Sequence, residues 1–173
     1  MHDSPRKGEE KRAHRPAPVR TVKTLRTETA ALRTHLPLDA KLSLMQKRLQ
    51  SLGSFEHLSF LDFENSLPGL GRLLPLLAQS SVDICCTLLL DKTGAIPRSY
   101  YHLIESCEKR GILPTGLVRR LCRQLVLINS GFEIERSDLM EMHRGMPETT
   151  SVFRQFLEHV KGSLEARSSA RSN

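Results

Sequence analysis

Residues 70–90 read LGRLLPLLAQSSVDICCTLLL, the most apolar run in the chain. Leu70, Leu73, Leu74, Leu77, Ile84 and Leu88 recur at three- and four-residue steps, and Leu76, Val82, Cys85 and Leu89 widen that stripe over most of the circumference. A helix apolar on most sides belongs in a core. Gln79, Ser80, Ser81 and Asp83 interrupt the run, and an ionised carboxylate at bilayer depth is costly, so the stretch reads as a buried helix and not as a membrane span. Pro75 lacks an N–H and costs about 3 kcal/mol in a helix interior, so it marks either a kink or the true first turn. Asp83, with apolar neighbours on both sides, needs a partner or an opening.

Around this helix, 173 residues with 39% hydrophobic content suffice for one domain with a real core. Tryptophan is absent, tyrosine occurs only at positions 100 and 101, and leucine dominates the apolar set, which favours helix packing over sheets. The expected class is all-α. Cysteines stand at 85, 86, 107 and 122 without a C-x-x-C spacing and without a secretory apolar region upstream. They read as reduced, buried thiols of a cytoplasmic protein. The net charge of +7 is mostly a property of one end: residues 1–35 hold nine Lys or Arg against four Asp or Glu, leaving 17 against 15 for residues 36–173. Such a basic segment attracts polyanions, RNA among them, or is simply a solvated tail.

Taken in order, residues 1–20 carry three prolines and almost no apolar anchor, which predicts disorder, and 21–36 carry a weak helical stripe. The division expected is a basic tail over 1–35, a helical domain over 36–164 and a frayed end over 165–173. Asp39 is placed as the N-cap of a first helix bearing Leu42, Met45, Leu49 and Leu52, with Gly53 behind it. Phe55 to Phe63 form a bulky connector to the central helix. Pro97 opens a third helix closed by Gly111, and Pro114 opens a fourth that Asn129, Ser130 and Gly131 break. Ser137 caps a short helix through Met142, and Pro147 or Thr149 starts the last one, striped by Val152, Phe153, Phe156, Leu157 and Val160. No βαβ alternation appears, so the simplest fold is an antiparallel bundle of four main helices plus short ones.

Three pieces in this order carry a resemblance: GRLLPLLAQSSVDICCTLLL with Arg72 leading and Asp83 near the middle, then IPRSYYHLIESCEKRGIL, then the closing stripe VFRQFLEHV. Over roughly residues 38–164 the chain resembles the HepT-like proteins of the HEPN superfamily of helical ribonucleases. The resemblance implies a HEPN-like bundle, a homodimer, a toxin-antitoxin setting and a minimal nucleotidyltransferase partner that silences the toxin by adenylylating a tyrosine. It also implies metal-independent RNA cleavage with no cofactor. In that family the chemistry rests on an arginine, usually followed by asparagine, then three residues, a histidine, one residue and a tyrosine. Histidine moves a proton at the ribose 2′-OH or the leaving oxygen, and arginine stabilises charge on the phosphate.

This chain departs from that motif where it matters. The aligned positions are Ile128 for arginine, Asn129, Glu133 for histidine and Glu135 for tyrosine, so only Asn129 is retained. Ile128 cannot donate a hydrogen bond, and Glu133 would add negative charge beside a phosphate. A displaced catalytic pair is offered by Arg136 and His143, which have six residues between them and fall on one helix face. Arg72 and Asp83 are supporting candidates: Asp83 either pairs with Arg72, Arg120 or Arg123 to fix helix register or borders the cleft of a dimer. His57, His102 and His159 share no metal-ligand spacing with Cys, Asp or Glu, and neither a Gly-rich phosphate loop nor a G-x-S-x-G elbow occurs. Two readings follow, an RNase by descent with an eroded or displaced site, and a non-catalytic helical module that dimerises or binds a nucleotidyltransferase.

Overall fold

The computed structural model describes residues 36–97, 99–129 and 136–171. The disorder expected for 1–20, all but the last residue of the weak helical stripe expected over 21–36, and Glu133 and Glu135 lie outside the described residues. Within them the fold is all-α, with six helices and no strand: α1 (Leu38–Gly53), α2 (Phe60–Asn65), α3 (Leu67–Thr93), α4 (Tyr100–Lys109), α5 (Thr115–Asn129) and α6 (Arg136–Arg171). The central apolar stretch becomes α3, which touches each of the other five. Leu70, Leu77, Ile84 and Cys85 on it are wholly buried. By length and composition α3 could cross a membrane, yet 61% of its apolar window is buried inside the bundle. That is how a core helix satisfies its stripe.

Local chemistry explains where each helix starts and stops, and it corrects several expected boundaries. Asp39 is not the N-cap of α1 but sits in its first turn, where its charge suits the positive end of the helix dipole; the Pro37 carbonyl accepts from Lys41 N at 3.2 Å. The connector holds a short helix, because Ser59 Oγ accepts from Asp62 N at 3.2 Å. Pro75 is neither of the two residues that open α3, since the helix begins eight positions earlier with Pro68 in its first turn; Pro75 lies inside it with its ring exposed. Gly94, at φ 69°, ends α3 in the left-handed conformation and donates to Leu90 O at 2.8 Å. α4 starts after Ser99, whose Oγ accepts from His102 N at 3.3 Å, and not at Pro97. The two helices expected over 137–164 are one helix that passes through Pro147 and continues to Arg171, beyond Leu164 where a frayed end was expected.

Side-chain contacts give the directions. Lys41 meets Thr87 while Arg48 meets Ser80 and the Leu76 carbonyl, so α1 and α3 run antiparallel. Thr149 meets Gln124 and His159 meets Ile112 O, so α5 and α6 do too. α1 and α6 are likewise antiparallel, through Gln46 with Lys161 and Glu56 with Arg154. α4 is the exception. Cys107 Sγ lies 3.8 Å from Cys85 O and Lys92 Nζ lies 2.5 Å from Arg110 O, so residue numbers rise together and α4 runs parallel to α3. Between Thr93 and Tyr100 the chain therefore returns along α3 before α4 begins.

Candidate functional site

The end of α5 holds Ile128 and Asn129, two of the positions singled out in the sequence, and packing there is decided by Ile128. Together with Leu117, Leu121 and Leu125 it forms the buried stripe of α5, and it is only 7% exposed. A guanidinium at that position would have to leave water for an apolar core. Asn129 follows on the exposed side and lines a small opening of about 30 Å³ with Pro75, Gln79, Tyr100 and Leu125. That space holds about one water molecule, not a nucleotide. Glu133 and Glu135 fall outside the described residues.

The alternative pair, Arg136 and His143, lies on α6. Arg136 begins α6, and nothing is described of its side chain. His143 lies two turns on, half-buried, with Nε2 hydrogen-bonded to the Leu58 carbonyl at 2.9 Å. Its ring meets Phe63 edge-on at 4.9 Å between centroids and Phe60 at 5.8 Å. These contacts seat the imidazole against the connector between α1 and α3. One ring nitrogen is spent on a backbone carbonyl and the ring is packed edge-to-face with two aromatic neighbours. His159 is held the same way, by Ile112 O at 2.9 Å, while His57 and His102 are exposed.

Asp83 and Arg72 share a face of α3, about 16 Å apart along the axis. Arg72 is exposed, whereas Asp83 is half-buried and accepts from Gln79 Nε2 at 2.7 Å. A cation acting on Asp83 comes from α1, a helix the sequence did not bring to it. Burial lowers the pKa of Arg48, and the charge of Asp83 acts in the opposite direction. Arg48 donates to Ser80 Oγ and to Leu76 O at 2.9 Å, and Lys41, only 7% exposed, donates to Thr87 Oγ1 at 2.6 Å. A polar seam thus joins α1 to α3. Arg120, one of the partners expected for Asp83, is engaged on α6 instead, by Gln155 and by Glu148 at 3.8 Å. The sequence signal for the seam was Lys41 and Arg48, seven apart on α1 on the edge of its apolar stripe.

All four cysteines are free, Cys85, Cys86 and Cys107 buried and Cys122 half-buried. The hydrogen bond with Cys107, reinforced by burial, pushes the Cys85 thiol well up. Burial, then the carboxylates Glu105 and Glu108, push Cys122 up as well. Cys107 is drawn the other way, lowered by its hydrogen bond with Cys85 against the effect of burial, whereas the raised pKa of Cys85 and Cys122 withholds the thiolate that nucleophilic or metal chemistry requires. Among the described residues no group of three or more His, Cys, Asp or Glu is placed to hold a metal ion.

No protein-family profile and no curated protein matches this chain. The geometry is therefore what a functional reading has to stand on.

Proposed function

We propose that the chain is a HepT-like helical protein that has given up RNA cleavage and serves as a dimerising, partner-binding module, with a minimal nucleotidyltransferase as the partner the resemblance implies. The observation that carries this reading is the burial of Ile128, which makes the motif's arginine position part of the core. Erosion of the site fits the described residues better than its displacement onto α6, because His143 is committed to Leu58 and two phenylalanine rings. The loss also extends to the modified tyrosine, replaced by Glu135, so neither the catalyst nor the target of silencing is kept.

Dimerisation is supported by apolar surface left over after the helices have packed. Leu61 is 66% exposed and Leu127 60%, with Leu76, Val126 and Met140 also open to water. Such a surplus suits a two-fold interface. Light scattering coupled to size exclusion tests the assembly, with twice the 19.6 kDa chain mass expected and a monomer at all concentrations as the refuting result. Incubation with labelled RNA tests the chemistry, with no cleavage expected. Cleavage abolished by His143→Ala in a variant that keeps its helical spectrum would move the active site to α6 and overturn the proposal.

A further inference from the structure

We draw no further inference here: the strongest candidate, the exposed apolar side chains of Leu36, Leu90 and Ile96 at the end of the bundle where α1 begins and α3 stops, is an unpartnered surface beside which the charges of Asp91 and Lys92 cancel, and nothing in the structure shows what covers it.

Discussion

Ile128 and His143 mark the two places where a catalytic group could sit, and in both the side chain is committed to packing. Placing arginine at 128 puts a charge into an apolar stripe, so Ile128→Arg should lower stability by about 3 kcal/mol or more in urea unfolding, and should do so without creating nuclease activity. An Ile128→Arg protein as stable as the wild type would mean that this position opens to solvent. His143→Ala removes the hydrogen bond to Leu58 O and two edge-on ring contacts and is expected to cost about 1–3 kcal/mol, which the same unfolding experiment reads. That Ile128 cannot donate a hydrogen bond was legible from residue identity alone. The engagement of His143 was not, since Leu58 and the phenylalanines are 80 or more positions away and only the packed connector brings them to α6. Lys41 was hidden for a related reason: its aliphatic stem lets a lysine lie along a helix interface while its ammonium finds Thr87.

The elements follow local rules except where long-range packing outweighs them. Pro147 made a break between two helices the natural reading, yet Leu139, Met146, Thr150 and Phe153 are buried on one face that runs straight past it. Burying that continuous stripe offsets the missing N–H, which would otherwise have donated to the His143 carbonyl four positions back. Because Pro147 is exposed, Pro147→Ala should restore the bond without disturbing the core and stabilise the protein by about 1–3 kcal/mol; a lower melting temperature would show that the helix is bent around the proline. Pro97 misled in a milder way. A proline can open a helix, but the hydroxyl of Ser99 caps His102 N, and the chain needs the residues before it to return along α3. α3 ends where a left-handed residue is required, at Gly94, and Gly94→Ala is predicted to cost about 1–2 kcal/mol. What could not be read was the parallel pairing of α3 and α4, because short connections favour antiparallel neighbours and nothing in residues 94–99 announces the return.

At the scale of the molecule, one apolar helix collects the others, and this was the most legible feature of the chain: its stripe has no other way to leave water. Truncating its centre with Ile84→Ala should cost about 2–5 kcal/mol, by loss of buried methylenes and the cavity left behind. The three cysteines buried against or within α3 and α4 should stay unreactive to a disulfide reagent until the bundle unfolds, so reaction of Cys85 and Cys107 in the folded protein would contradict the packing described. The proposed loss of cleavage, with Ile128 given to the core, is tested most directly by incubating the purified chain with end-labelled RNA. No product above the buffer control is expected at the protein concentration used for light scattering. Product formed at a rate proportional to protein, and lost in His143→Ala with the fold intact, would contradict it.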